Sequence, residues 1–507
     1  MGAALPIPRE LVDFLKLPGP QSMLLRGPPG SGKSSLSLAL LEAFNGARFY
    51  VTNRVPEDDV LMAFPWLGES GHHGIKMLDN TEADGASQAA RALLRGSPAL
   101  VSDLSSETRE FTEFLWLPEP LQEAWGHLDP DKPSLIVIDS WDALVDSYLG
   151  TPGPVAGAEL PSRADIERAL LRRMGRAKTH LLFVLEREEQ TQLDYLVNAV
   201  GVTSRAVVNG RLERWLTLFK LRGVRIENAH YPFSLEGAHF ECIVPMRPYG
   251  HIRGGRFNPA PDHLPGQLWP GSKAFAESFG RLPLGKSSLI EVENEVPNHI
   301  PYLLLAPMIA NAVERNGHVI VLPDASTLPE DLWDALHGSV ERRRFLAQVR
   351  FLLPPAGPNE GKSEFEPTIV RLGQPSTDGV ATPGADNIGM DQFLRSGSTP
   401  ESPGLFVVFL NGLVSVASGL GLAITADLAQ RLPGQIQAAV RGAPVHAIAV
   451  GSPTSPLMDP LRATAALRLH LRQVQGRIFL HASDPWTPTF VLTEGGESDP
   501  YGLLRVV

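Results

Sequence analysis

The chain has 507 residues, 43% hydrophobic and 20% charged, a composition that suits about two to four domains with large cores and excludes global disorder. The formal net charge of -11 argues against a general binder of nucleic acid or anionic membrane. The one cysteine, Cys242, excludes an intrachain disulfide framework and a cysteine zinc cluster, and it suits a reducing, cytoplasmic setting.

The opening MGAALPIPRE has no charged-then-apolar signal region, and Pro6 stands where a myristoylation site wants Ser or Thr. From there strand and helix alternate. SMLLRG (22–27) is a short apolar run entering a Gly-rich turn, and KSSLSLALLEAF (33–44) follows with helical spacing of Leu and Phe. RFYVTN (48–53), SLIVIDS (134–140), THLLFVLE (179–186) and LTLFKL (216–221) read as further strands, with helices such as ADIERALLRRMGRAK (164–178) between them. Continuous apolar strands separated by helices imply a parallel sheet covered on both faces. The adjacent His72 and His73 point oppositely in an extended chain and read as loop histidines, not as a metal pair.

Residues 245–272 are rich in Pro, Gly and Arg and read as a linker. Beyond it the order of the first half returns. SSLIEVE (287–293) resembles the opening strand, and PYLLLAPMIANAVERNG (301–317) resembles the helix after it. HVIVLPDASTLPEDL (318–332), LFVVFLNG (405–412) and PVHAIAVG (444–451) match later strands of the first half. This is a diverged internal duplication. A long polar stretch, about 355–403, reads as a mobile insertion. Residues 404–426 carry no charge and are long enough to span a bilayer. Gly and Asn interrupt the run, no basic cluster flanks it, and the duplication maps its start onto a core strand, so no membrane segment is expected.

Two stretches spell the phosphate-loop pattern G-x-x-x-x-G-K-[ST]: GPPGSGKSS at 27–35 and GRLPLGKSS at 280–288. The pattern works only between a strand and a helix, where glycines let backbone N–H groups wrap phosphates at the helix N-terminus. The first stretch has that order. The second has a helix-like SKAFAESF before it and a strand after it, which leaves Lys286 at a strand entrance. By the duplication, the true counterpart is EVENEVPNH (291–299), which has no Gly and no Lys, puts Asn298 near the lysine position, and carries the phosphate-repelling Glu291, Glu293 and Glu295. In the first loop, Gly27, Pro28, Pro29, Gly30, Ser31, Gly32, Lys33, Ser34 and Ser35 are the expected ATP-binding residues. Lys33 would neutralise the β- and γ-phosphates, and Ser34 would ligate Mg²⁺. Asp139, at the end of SLIVID, is the expected acidic partner for Mg²⁺, with Asp142 a weaker candidate.

GPPGSGKSS, RFYVTNRVPEDDV, GIKMLDN (74–80), SLIVIDSWDAL and FKLRGVRIENAHYPFSLEG (219–237) together resemble the KaiC-like branch of the RecA-superfamily ATPases, a group that also holds the archaeal GvpD-type gas-vesicle regulators. The resemblance covers about residues 5–243 and, more weakly, 280–494. It implies ATP and Mg²⁺ at Lys33, Ser34 and Asp139. It also implies that Lys220 and Arg222 reach the γ-phosphate of a neighbouring subunit, hence a homo-oligomer through the first domain. The stretch FLHASDPW (479–486) places His481 and Ser483 at the matching positions of the second half. Glu186 matches a family glutamate without an assigned role. One departure matters. The family's glutamate pair that activates water is replaced by Asn53, Arg54 and Val55, with Glu57 and Asp58 one turn downstream as possible substitutes. A general base contributes ~10²–10⁴ in rate, so slow or absent hydrolysis is expected.

The expected architecture is therefore α/β, with two RecA-like P-loop domains of mainly parallel sheets flanked by helices. An ATP-binding domain spans 1–244, and a degenerate copy spans 273–507. The expected role is a nucleotide-dependent regulatory or assembly switch with an unidentified protein partner, or alternatively an active ATPase. DNA recombination is disfavoured, since RRMGRAK (172–178) and ERRRF (341–345) read as solvated helix faces.

Overall fold

The computed structural model of the protein describes residues 7–52, 55–69, 74–78, 114, 117–129, 131–150, 161–245, 264–324, 327–354, 364–371, 398–419, 434, 436–438, 440–495, 499 and 501–506. The chain divides into two compact units, Met1–Val244 with Val506–Val507, and Pro245–Arg505.

The first unit is built on one nine-stranded sheet. Its strands are β1 (Ser22–Arg26), β2 (Ala47–Thr52), β3 (Ile75–Leu78), β4 (Ser134–Asp139), β5 (Thr179–Leu185), β6 (Ala199–Val208), β7 (Arg211–Leu221), β8 (His230–Ser234) and β9 (Glu241–Cys242), in the order β3-β2-β4-β5-β1-β6-β7-β8-β9. Pairing is parallel from β3 through β6, as the apolar runs imply, and antiparallel from β6 to β9. The central strands are apolar on both faces because successive side chains alternate. Met23 and Leu25 of β1, Leu135 and Val137 of β4, and Leu182 and Val184 of β5 enter one core with Leu36, Leu40 and Leu41 of the helix Lys33–Ala43. Leu24, Ile136, Ile138, Leu181 and Phe183 enter the other with Trp141, Leu144, Ile166 and Leu170. The helix Arg163–Arg176 starts where Ser162 and Asp165 exchange side-chain-to-backbone hydrogen bonds, a capping box.

The second unit repeats this plan. Besides a two-stranded ribbon of β10 (Gln267–Leu268) and β11 (Leu282–Pro283), it has β12 (Ser287–Val292), β13 (Val319–Leu322), β14 (Val349–Leu353), β15 (Ile369–Arg371), β16 (Gly404–Phe409), β17 (Val445–Gly451), β18 (Leu467–Val474), β19 (Arg477–Asp484), β20 (Thr489–Glu494) and β21 (Tyr501–Val506). Their order is β15-β14-β13-β16-β17-β12-β18-β19-β20-β21. Strand for strand this is the first sheet with one extra edge strand, β15. The register repeats as well. Ser22 pairs with Leu181, and Ser287 with Ala447. Met23 pairs with Ala199, and Ser288 with Leu467. Even the irregularity repeats, with a bulge between Val200 and Gly201 in β6 and between Arg468 and Leu469 in β18.

Two sequence expectations change and a third holds. Residues 264–272, read as linker, belong to the second unit's packing: Leu268 is fully buried, and Ser272 accepts a hydrogen bond from Phe275 N at the start of the helix Lys273–Phe279. The stretch 355–403, read as unpacked, supplies buried Phe365 and the edge strand β15, because Phe365 joins the core with Trp333 and Phe345. The rest of that stretch, apart from 398–403, lies outside the described residues. The uncharged run from 404 begins as β16, buried along its whole length, as the duplication implies. Among the described residues no helix is long and apolar enough to cross a membrane.

Candidate phosphate-loop site

β1 delivers the chain to the loop 27–32, and the helix Lys33–Ala43 leads away from it. Two glycines in the loop are sterically required. A Cβ on Gly27 would lie 2.2 Å from the carbonyl oxygen of Thr203, and one on Gly32, where φ is +89°, would lie 2.8 Å from the Phe233 ring. Ser31 ties the loop down: its Oγ lies 2.7 Å from Pro28 O and 2.7 Å from Thr203 Oγ1. Lys33 is buried, and its Nζ donates to Gly27 O at 2.9 Å and to Pro28 O at 2.8 Å. Ser35 is buried in the first turn of the helix.

Ser34 and Asp139 meet at the mouth of the loop. Ser34 Oγ donates to Asp139 Oδ2 at 2.6 Å, and Tyr50 Oη donates to the same oxygen at 2.7 Å. The first turn of the helix Lys33–Ala43, strand β2 and the end of β4 thus converge on one carboxylate. Burial pushes the Asp139 carboxyl above the usual carboxylate range, against the Ser34 and Tyr50 hydrogen bonds and the Lys33 charge, and the Glu186 charge pushes it further up. Burial and the Asp139 carboxylate raise the Tyr50 phenol well above its ordinary value. Asp142 is not part of this cluster. Its buried carboxylate is bound by Arg163 and Arg187, each at 2.7 Å.

The other expected residues lie elsewhere. Glu57 and Asp58 are exposed in the first turn of the helix Glu57–Ala63. Asn53, Arg54, His72 and His73 lie outside the described residues. Lys220 pairs with Val200, which is opposite Leu24 in the middle of β1, and Arg222 N donates to Asn198 O at 3.0 Å, beside the start of β1. Lys220 Nζ donates to Asp194 O at 3.0 Å and Val197 O at 2.6 Å, and burial and the Arg222 charge lower its pKa. Arg222 is exposed.

Sequence reading missed Tyr50, Thr203 and a pair of arginines on the β6–β7 hairpin. Arg205 and Arg214 lie directly opposite each other. Arg214 Nε donates to Gly30 O at 3.4 Å, and Arg205 Nη1 would lie 3.2 Å from a Cβ on Gly30. The signal was available. Asn209 and Gly210, with φ of 50° and 73°, form the two-residue hairpin turn that an Asn-Gly dipeptide favours. Counting outward from that turn pairs the two arginines.

In the second unit Lys286 directly precedes β12, and its carbonyl accepts from Ala447 N, so the second pattern match does enter a strand rather than leave one. The counterpart of the glycine loop runs from Val292 to Asn298, ahead of the helix His299–Glu314. A cavity of about 370 Å³ remains there, lined by Glu293, Asn294, Asn298, Asp324, Asn411 and Ser452, with no lysine or arginine among its lining residues. One correspondence shifts. The bulged register places Asp484 opposite Arg468 where Lys220 stands opposite Val200, so Asp484, not His481 or Ser483, is the counterpart of Lys220.

No family model matches the chain. Two curated proteins of Halobacterium salinarum are similar to it. GvpD2 is 30% identical over 243 residues, which cover 47% of this chain and 44% of that protein. GvpD1 is 25% identical over 370 residues, 71% of this chain and 64% of that protein. The aligned region therefore spans between about half and two thirds of the relatives it matches.

Proposed function

We propose that the first unit binds ATP with Mg²⁺ and that the chain is a nucleotide-dependent regulatory or assembly switch in which hydrolysis is slow or absent. The observation that carries this reading is the loop itself: glycines required at positions 27 and 32, a buried lysine inside it, and the Ser34–Asp139 contact at its mouth. The donor set fits the ligand. A hydroxyl and a carboxylate are the hard oxygen donors that Mg²⁺ prefers, and a strand–glycine loop–helix arrangement presents N–H groups to phosphate. Magnesium-bound nucleotide would supply a binding free energy that depends on how many phosphates are present. The chain's part is to hold them: the loop amides wrap the phosphates, Lys33 exchanges loop carbonyls for phosphate oxygens, and Ser34 and Asp139 hold the metal. The similarity to GvpD1 and GvpD2, with the resemblance to gas-vesicle regulators, supports a regulatory role in gas-vesicle formation through a protein partner. The basic helical segments favour no nucleic acid, since Arg342 and Arg344 pair with Glu364 and Glu314, and Arg173 lies over the Phe114 ring. Arg222 is exposed, which suits the use toward a second copy that the resemblance implies for it and for Lys220. An active ATPase is the second reading, kept open by the presence of Lys33, Asp139, Lys220 and Arg222.

Titration of full-length protein with labelled ATP, followed by size and phosphate release, tests this. Lys33→Ala should abolish binding and Lys286→Ala should leave it unchanged. Turnover at saturating ATP should stay well below the ~1–10 s⁻¹ ordinary for enzymes. Binding that survives Lys33→Ala, or is lost in Lys286→Ala, overturns the assignment.

A further inference from the structure

We propose that Arg205 and Arg214 form a second cationic wall of the phosphate site, supplied by the same chain, that holds the terminal phosphate of a nucleoside triphosphate; this rests on the ATP-binding reading above. The pair is unusual in energetic terms. Like charges directly opposite each other across a ladder destabilise a sheet, yet here two guanidiniums face each other. Among the described residues no carboxylate forms an ion pair with either, although five other arginines of the first unit, Arg9, Arg26, Arg163, Arg168 and Arg187, do find one. Arg214 Nη1 is buried without a hydrogen-bond partner, a group that ordinarily has one. Burial and the Arg205 charge both lower the Arg214 pKa. An anion between the two side chains relieves all of this at once.

The position selects the anion. Both side chains reach the same residue of the loop, Gly30, on the side of the loop that the hairpin covers. Lys33 stands inside the loop. A chain of phosphates wrapped by the loop would meet Lys33 first and the arginine pair at its outer end. Guanidinium groups bind phosphate oxygens bidentately, as a lysine does not.

The second unit is an internal control. Counting along the ladder from the shared bulge, Arg205 and Arg214 correspond to Gln473 and Ile478, which pair with each other. The hairpin over the glycine loop carries two arginines, and the hairpin over the glycine-free loop carries none at those positions. The first hairpin extends two residues further on each strand beyond the bulge, but the two turns are alike. Each turns through a residue of positive φ and a glycine, Asn209–Gly210 and Gln475–Gly476, and each is followed by a buried arginine, Arg211 or Arg477, that donates back to the turn carbonyl.

The test uses the full chain, titrated with ATP, ADP and inorganic tripolyphosphate. The variants are Arg205→Gln, Arg205→Gln/Arg214→Gln, Arg214→Lys and Lys33→Ala. The double variant should lose at least about tenfold in ATP and tripolyphosphate affinity, the scale of lost charge-assisted hydrogen bonds. ADP affinity should change less than about threefold, a split that a structural defect would not produce. Arg214→Lys should fall between. Arg205→Gln alters an exposed side chain and should weaken ATP on its own, so the test survives misfolding of the double variant. If the double variant binds ATP like the parent while Lys33→Ala does not bind, the nucleotide reading stands and the arginine wall falls. If the parent binds none of the three probes, both fall.

Discussion

The same topological position holds an ion pair in both units, with the charges exchanged. At the end of β1, Arg26 is paired with Asp194 at 3.1 Å; at the end of β12, Glu291 is paired with Arg462 at 2.7 Å. Arg26 and Glu291 occupy the same register, opposite Leu185 and Gly451, and Asp194 and Arg462 each lie five residues before the next strand. A buried strand end next to a loop needs a matched pair there, and either sign will do. The residues just beyond are not so interchangeable. The loop after β1 must be glycine at 27 and 32 because backbone and ring atoms occupy the space a Cβ needs, while the loop after β12 carries side chains throughout. The duplication kept what holds the sheet and changed what would meet a ligand.

The largest effect should come from putting a side chain into that difference. Gly27→Ala places a methyl 2.2 Å from a backbone oxygen. The loop has to move, at a cost of ~3 kcal/mol, and ATP binding should be lost. Val292→Ala at the corresponding position of the second unit should leave ATP binding untouched and cost at most ~1 kcal/mol, because Val292 is only partly buried. Calorimetric titration and thermal melting of both variants measure the contrast. Equal effects on binding would erase the distinction between the loops.

Much of this contrast is legible in the sequence, for local reasons. The strands SMLLR, SLIVID and THLLFVL are continuous apolar runs, and the order of strand, glycine loop and helix separates the pattern at 27–35, which leaves a strand for a helix, from that at 280–288, which enters a strand. What was hidden depends on pairing between distant strands. Nothing near Arg205 marks it as a neighbour of Gly30, since that contact is made by the register of β6 against β1. The swap of Arg26–Asp194 for Glu291–Arg462 is invisible without two ladders to align. The error at Asp484 has the same source, because Lys220 and Asp484 are matched only through their partners Val200 and Arg468 across two separate ladders. Phe365 was lost in a polar stretch because one buried ring leaves no periodicity to read.

A smaller effect tests whether the ion pairs are equivalent. Arg26→Glu sets two carboxylates together at a site where both side chains are about nine-tenths buried, and should destabilise the first unit by ~3 kcal/mol. Arg26→Glu combined with Asp194→Arg reproduces the arrangement of the second unit and should recover a good part of that loss. Recovery will be incomplete for a stated reason. Arg26 also donates to Glu188 O, and Asp194 accepts from Thr191 N and Oγ1, bonds the exchanged residues do not make. Chemical denaturation of the two variants reads the coupling, and a double variant no more stable than Arg26→Glu would mean that the positions are not interchangeable.

The smallest effect separates two histidines that occupy the same register, His180 of β5 and His446 of β17. Each is paired one residue before the partner of the strand's first serine: Leu181 faces Ser22, and Ala447 faces Ser287. His180 Nδ1 accepts from Gln21 N, so it carries no proton there; His446 lies with Nδ1 2.7 Å from Pro283 O and therefore donates from that nitrogen, while its Nε2 lies 2.9 Å from Ser288 Oγ. Burial lowers both, and it holds fully buried His446 down at about 4. The sign follows from linkage. Above the ordinary imidazole value near 6.5 both folded and unfolded chains are neutral, and the full contribution is present. As pH falls below that, the unfolded chain takes up a proton that folded His446 refuses, and stability drains away until about pH 4. Glu291, held at about 2 by His470 and Arg462 against the cost of its burial, acts lower, between the ordinary carboxylate value and pH 2. His446→Gln should therefore flatten the fall of melting temperature between pH 6.5 and 4 while leaving the steeper loss below pH 4 in place. His180→Gln should flatten the upper window less, since His180 is the less deeply buried of the two. A profile for His446→Gln that runs parallel to the parent between pH 6.5 and 4 would show that the buried imidazole of β17 is not the group that titrates there.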